Sequence, residues 1–191
     1  FLTITGGEIF LRSDVLAITA EARRLGFGVR LFTSGTRLRR HEADAIARMG
    51  VLAVELSLYS HRGAVHDTIT RRPGSHRRTL RAAVMLRRRG VPVLLKAPLL
   101  GPAADDFRGL LALAERIGAE SKLDTSVITR RDGNLAPAAL RAAPEALVAA
   151  LSDSRVTPSR ALPTPAPPER SPCAIARRSC RIGPNGDVFP C

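Results

Sequence analysis

The chain has 191 residues, 45% of them hydrophobic and 25% charged, which gives room for one sizeable folded domain and excludes a disordered or collagen-like chain. No run approaches the roughly 20 uninterrupted apolar residues of a membrane-crossing helix, and no charged-then-apolar leader opens the chain, so no membrane partner and a cytoplasmic location are expected. Thirty Lys+Arg against 17 Asp+Glu give a formal +13, which points first to nucleic acid or an acidic partner; but lysine stands only at Lys96 and Lys122, the arginines lie in clusters such as Arg23-Arg24 and Arg87-Arg88-Arg89, and one Tyr with no Trp leaves no platform for stacked bases. The charge therefore reads as solvated helix faces, and nucleic acid is not expected as a partner.

In chain order, residues 1–5 (FLTIT) form an apolar, β-rich run that ends on Gly6-Gly7-Glu8. Val15, Ile18, Ala22 and Leu25 then fall on one helical face after a Ser13 cap, and Gly26 stops that helix. A second strand is expected over 27–33, ending on Thr33-Ser34-Gly35, then a short helix over 41–49 and a third strand over 51–58 that carries Ser57. His66-Asp67 follows in what reads as a loop. Residues 75–89 give a helix with Leu80, Ala83, Val84 and Leu86 on its apolar arc and Gly90 as its stop. A fourth strand over 91–96 reaches Lys96; Phe107, Leu110, Leu111, Ala114 and Ile117 mark another helix before Gly118; a fifth strand is expected over 123–129, then a charged turn at Arg130, Arg131 and Asp132-Gly133. A last helix spans 137–151 with a break at Pro144.

The strands begin some 24 to 40 residues apart, which is βα-unit spacing, and they read as apolar on both faces, as in a parallel sheet covered on both sides. Such a pattern gives a doubly wound sheet or a partly closed (β/α) barrel, and periodicity does not separate the two. In either, Gly6, Ser34, Ser57, Lys96 and Thr129 stand at strand C-termini and face one end of the sheet, where α/β folds bind ligands. Beyond residue 156 the composition changes to a Pro-rich spacer, and all three cysteines (Cys173, Cys180, Cys191) crowd into the last 19 residues. RIGPNGDVFP reads as a hairpin turning at Pro184-Asn185-Gly186, on which clustered thiolates suit zinc or an iron–sulfur cluster.

The succession LTITGGE, FTSG, VELSLYS…VHDTITRRPGS, VPVLLKAPLL, LDTSVITRRDG and C…CRIGPNGDVFPC resembles a radical S-adenosylmethionine enzyme with a SPASM extension, over essentially the whole chain. Cys173, twelve residues, Gly186, four residues, Cys191 agrees with the opening of the SPASM pattern. The resemblance implies an α/β fold: a partial (β/α)6 TIM-like barrel over 1–155, truncated at its N-terminus, a Pro-rich linker over 156–172, and the start of a cysteine-rich SPASM module over 173–191. It also implies a 4Fe–4S cluster held by a Cys-x-x-x-Cys-x-x-Cys loop, which this sequence lacks and which is expected upstream of Phe1, so that the chain is a fragment that does not turn over alone.

Position by position, Gly6, Gly7 and Glu8 match the element that holds the methionyl amino group of S-adenosylmethionine, although Ile9 stands where the family often has proline. Thr33-Ser34-Gly35 replaces the usual Thr-Asn-Gly and keeps a tight polar turn at Ser34. Ser57 matches a serine that contacts the cofactor, Arg71 or Arg72 the arginine after the His-Asp pair, and Cys173, Cys180 and Cys191 the ligands of an auxiliary 4Fe–4S cluster. The activity so implied is reductive cleavage of S-adenosylmethionine to a 5′-deoxyadenosyl radical that abstracts hydrogen, with a peptide or protein substrate, as in maturation of peptides or peptide-derived cofactors, and an electron donor such as flavodoxin or ferredoxin. The rival is a basic α/β protein that docks nucleic acid and carries a structural zinc hairpin. No catalytic acid or base is assigned; His66 and Asp132 are polar residues near the expected mouth.

Overall fold

The computed structural model describes residues 1–127, 132–156 and 179–189. The chain divides into two compact units, Phe1–Pro158 and Ser159–Cys191.

In the first unit, five strands, β1 (Leu2–Ile4), β2 (Val29–Thr33), β3 (Ala53–Ser57), β4 (Val93–Pro98) and β5 (Glu120–Asp124), form one sheet in the order β1-β2-β3-β4-β5, every pair parallel. Each strand lies beside its predecessor. A doubly wound sheet reverses direction at a switch point, so this unbroken order selects the barrel-type winding between the two alternatives. The helices are α1 (Val15–Arg24), α2 (Arg40–Met49), α3 (Gly63–Thr70), α4 (Ser75–Arg87), α5 (Phe107–Ile117) and α6 (Pro144–Leu151).

The strands are not apolar on both faces. Burial alternates along β4, and β2 likewise buries Val29, Leu31 and Thr33 while Arg30 is exposed and Phe32 half-buried. The buried side chains, with Val54, Leu56, Leu58, Val93, Leu95 and Ala97, pack in one core with Ala43 and Ile46 of α2, Ala82, Ala83 and Leu86 of α4, and Leu110 and Ala114 of α5. The opposite face carries Phe32, Glu55, Ser57, Lys96 and Asp124, brought onto one side by the register Phe32–Glu55, Ser57–Lys96 and Pro98–Asp124. A sheet with one face covered by helices needs apolar residues only on that face. A smaller cluster (Leu99, Phe107, Leu111, Ala142, Ala150) seats α6, and the helix expected over 137–151 does break at Pro144, after a 3-10 turn at Ala136–Leu140.

Four local expectations are corrected. On α1 the covered face is Val15, Thr19 and Ala22, with Ile18 and Leu25 exposed; the Thr19 hydroxyl donates to Val15 O at 2.7 Å, which removes the cost of burying it. The residue before α1 is Asp14, not Ser13, and its carboxylate takes the Arg12 guanidinium at 2.6 and 2.9 Å rather than the helix end. β5 starts at Glu120 rather than 123: as the terminal strand of the sheet it is only half-covered, so its ESK opening has no apolar run to announce it. His66 lies in a helix, α3, whose eight residues GAVHDTIT are too short and too mixed to show a period. Among the described residues no helix is long and apolar enough to cross a membrane.

In the second unit, β6 (Arg181–Ile182) pairs antiparallel with β7 (Val188–Phe189) around Pro184-Asn185-Gly186. Gly186 takes φ +88°, the left-handed conformation that the turn needs, and Gly183 N donates to Asp187 O at 2.7 Å. The Arg181 guanidinium lies 4.7 Å from the Phe189 ring centre. Cys180 is exposed and free; Cys173, Cys191 and Thr129 lie outside the described residues.

Candidate functional site

At the C-terminal end of the sheet a cavity of about 530 Å³ opens, lined by Gly6, Gly7 and Glu8 after β1, by Ser34 after β2, by Ser57 of β3 and by Lys96 of β4. Five sequence-picked positions from three strand ends thus meet in one hollow, with Lys96 beside them. A Cβ added at Gly6 or Gly7 would meet nothing within 4 Å, so neither glycine is demanded by protein packing and both leave backbone open to the cavity.

Glu8 organises this rim. It precedes the 3-10 turn Ile9–Leu11, and its Oε1 accepts from Phe10 N at 3.2 Å and from the Thr33 hydroxyl at 2.5 Å. Its Oε2 accepts from Ser34 N at 3.1 Å and from the Ser34 hydroxyl. Three of these four donors, from Thr33 and Ser34, tie the β1 loop to the end of β2. Below them, Gly35 holds φ +71° where a Cβ would meet Leu56 Cδ2 at 2.9 Å and Ala82 Cβ at 3.0 Å. The Thr79 hydroxyl of α4 donates to Ser34 O at 2.7 Å, so the β2–α2 turn is gripped from the sheet side and from the helix side.

On the other wall, the Lys96 ammonium lies 5.2 Å from the Phe32 ring centre. Tyr59 packs on His66, ring centres 5.5 Å apart, and His66 in turn meets His76 edge-on at 5.5 Å. His66 Nδ1 accepts the Tyr59 N–H at 3.1 Å, which fixes the neutral tautomer protonated at Nε2. Burial, then the neighbouring His76, pushes His66 down to about 4. Asp67 faces the opposite way and closes the start of α4: its carboxylate accepts from Gly74 N at 2.5 Å, Ser75 Oγ at 2.8 Å and His76 N at 2.9 Å. These bonds, that from His76 N–H foremost, hold its acid down to about 2.

Of the adjacent pair Arg71 and Arg72, the one that lines this cavity is Arg72; Arg37 of the β2–α2 loop lines it too. Arg71 takes the left-handed cap of α3 at φ 54° and is not among the lining residues, because that turn presents the two side chains in different directions. Tyr59, Ser75, Thr79 and Asp124 also line the cavity and were not singled out in the sequence. The sequence shows that Ser75 and Thr79 stand four residues apart on one face of the helix expected over 75–89; that both are buried, and so need polar partners, is decided by the structure. Among the described residues, no group of three or more His, Cys, Asp or Glu side chains is arranged to hold a metal ion.

A model of the radical SAM superfamily matches residues 1–114. The chain is 32% identical over 206 residues to the PqqA peptide cyclase of Xanthomonas campestris pv. campestris strain B100, covering 98% of this chain and 53% of that protein. It is 26% identical over 202 residues to the PqqA peptide cyclase of Ruegeria pomeroyi, covering 100% of this chain and 54% of that protein. It thus spans about half the length of the curated relatives it matches. Among solved structures, Streptococcus suis SuiB bound to S-adenosylmethionine superposes with a TM-score of 0.57 at 15% identity, over 63% of this chain and 28% of that one, a likeness of fold alone.

Proposed function

The chain belongs to the radical SAM superfamily, and from that premise we propose that the cavity at the strand ends holds S-adenosylmethionine, in an enzyme that uses it for hydrogen abstraction during maturation of a peptide or a peptide-derived cofactor. One observation carries this reading: Gly6, Gly7, Glu8, Ser34 and Ser57 line a single hollow of about 530 Å³, within the roughly 300–1,000 Å³ range of small-molecule sites. The open backbone at Gly6 and Gly7 fits the test for a ligand that must approach the main chain closely.

In this reading the Gly6-Gly7 backbone and the Glu8 carboxylate receive the amino group of the ligand, the Thr33 and Ser34 hydroxyls rotating to release a lone pair. Arg72 supplies a fork for its carboxylate, and Ser57 and His66 Nε2–H supply donors for the nucleoside. His66 stays a neutral donor at physiological pH because burial disfavours its charged form. A bound 4Fe–4S cluster would supply one electron to the sulfonium, which would part into methionine and a 5′-deoxyadenosyl radical; the loop that holds such a cluster, Cys-x-x-x-Cys-x-x-Cys, does not occur in residues 1–191. Cys173, Cys180 and Cys191 are proposed as ligands of an auxiliary cluster in a SPASM module, and an electron carrier such as flavodoxin or ferredoxin as the reductant. The PqqA peptide cyclases named among the relatives support the peptide substrate.

Equilibrium dialysis of labelled S-adenosylmethionine tests the site. Wild type is expected to bind, with Ser57→Ala weakening affinity about tenfold, the value of roughly one hydrogen bond, and Glu8→Ala, which removes a charge-assisted one, by at least about tenfold. Equal affinity in all three proteins would overturn the assignment.

A further inference from the structure

A second hollow, of about 390 Å³, lies beside the β2–α2 loop, lined by Phe10 and Gly35 and by arginines of that loop and of α4. Arg37 and Arg39 approach it from that loop, on either side of Leu38, which is buried and anchors the loop on the core. Arg78 and Arg81 approach from α4, three residues apart and so neighbours along one side of that helix. Phe10 and Glu42 complete the part of the lining that matters.

What sets this patch apart is convergence: four arginines meet at one concavity. Some arginines elsewhere sit with carboxylates, Arg12 with Asp14 at 2.6 Å, Arg24 with Glu21 at 2.6 Å, Arg89 with Asp44 at 2.6 Å and Arg155 with Asp153 at 2.7 Å, while others, such as Arg40, Arg77 and Arg88, line neither hollow. Among the described residues none of Arg37, Arg39, Arg78 and Arg81 has an acidic partner; Arg78 only donates to Pro73 O at 3.0 Å. Glu42, the single carboxylate in the lining, accepts the Arg39 N–H at 2.6 Å and so closes the start of α2. Four guanidinium groups around one concavity repel one another unless an anion enters it. A solvated arginine face needs no such convergence.

Thr36 and Arg37 line both this hollow and the main cavity, so the two share a lip. We propose that the arginine hollow anchors acidic side chains of a peptide that extends from the main cavity across the Thr36–Arg37 lip. The inference rests on the reading of this enzyme as one that acts on a peptide. Planar guanidinium forks match carboxylates in paired hydrogen bonds, and an open hollow of about 390 Å³ admits acidic side chains from solvent. A nucleic-acid strand calls for a continuous basic track with aromatic platforms, whereas the hollow offers Phe10 alone.

The test is fluorescence anisotropy with a labelled Gly-flanked hexaglutamate peptide, its hexaglutamine counterpart and a short oligothymidylate, against three proteins: wild type, Arg78→Ala/Arg81→Ala, and Arg88→Ala/Arg116→Ala, the last pair exposed residues outside both hollows. The expected result is glutamate-peptide binding at least tenfold tighter than glutamine-peptide binding, lost at least tenfold in the first double variant and unchanged within twofold in the second, which has the same net charge. Equal loss in both double variants, or oligothymidylate bound as tightly as the glutamate peptide, overturns the proposal. The single variant Arg81→Glu, at an exposed position, covers the case in which the double variant does not fold; it too should lose at least tenfold. S-adenosylmethionine affinity measured on the same samples separates the two readings. Retained nucleotide binding without hollow-dependent peptide binding sinks this inference alone, and the converse sinks the nucleotide site alone.

Discussion

Replacing Glu8 by Gln probes the rim at its most connected point. The carboxylate receives four donors: Phe10 N at 3.2 Å and Thr33 Oγ1 at 2.5 Å on one oxygen, Ser34 N at 3.1 Å and the Ser34 hydroxyl on the other. A carboxamide keeps one oxygen, which is best spent on the two Ser34 donors. Its NH2 then faces the Phe10 N–H, a donor that has no way to reverse, and the Thr33 hydroxyl, which must rotate. The change leaves one half-buried amide without its partner, at about 1–2 kcal/mol, and turns the two Ser34 bonds from charge-assisted to neutral, at about 1 kcal/mol each, for roughly 3–4 kcal/mol in all. At about 2–4 °C per kcal/mol for a domain of this size, thermal unfolding should fall by roughly 5–15 °C. Amide hydrogen exchange localises the effect: Phe10 and Ser34 should lose protection before the core strands do. An unchanged melting temperature together with unchanged protection at those two amides would refute the reasoning.

Gly35→Ala combines a left-handed φ of +71° with a Cβ at 2.9 Å from Leu56 and 3.0 Å from Ala82, so a loss of about 2–4 kcal/mol is expected in urea unfolding, with no loss if the turn relaxes freely. Gly109→Ala would drive a Cβ into the His61 ring and push that side chain off Asp106, which it meets at 2.8 Å; the His61 ring NMR resonances should then shift and the melting temperature fall, while Gly90→Ala, with no atom within 4 Å, should leave those resonances in place. His66 supplies the pH prediction. Its folded value of about 4 lies below the unfolded 6.5, so the unfolded chain binds the proton more tightly. Stability is then complete above pH 6.5 and declines as pH falls through 6.5 to 4, by on the order of 3 kcal/mol at 1.36 kcal/mol per unit. His66→Gln should flatten that slope in a urea-midpoint series, and an unaltered slope would show that other groups carry it.

Much of the rim was legible because its residues announce themselves by position. Gly6-Gly7-Glu8, Ser34 and Ser57 directly follow or end apolar runs, and a parallel sheet sends every strand end to the same edge. What stayed hidden came from elements whose polarity carries no period. Helix α3 is eight residues long, and β5 opens on Glu-Ser-Lys at the end of the sheet, so neither presents the apolar repeat by which an element is read. The choice between Arg71 and Arg72 was equally out of reach, since one left-handed residue decides which of two adjacent arginines meets the cavity.

The sequence by itself determined the succession of βα units, the chemistry at the strand ends and the hairpin at Pro184-Asn185-Gly186, because apolar spacing and turn residues act over a few neighbours in the chain. Only the tertiary structure decided the unbroken strand order, the polar inner face from Phe32 to Asp124, and the meeting of Glu8 with Thr33 and Ser34 across 25 and 26 positions. Those depend on which surfaces the helices cover and on hydrogen bonds between distant segments, and local composition encodes neither.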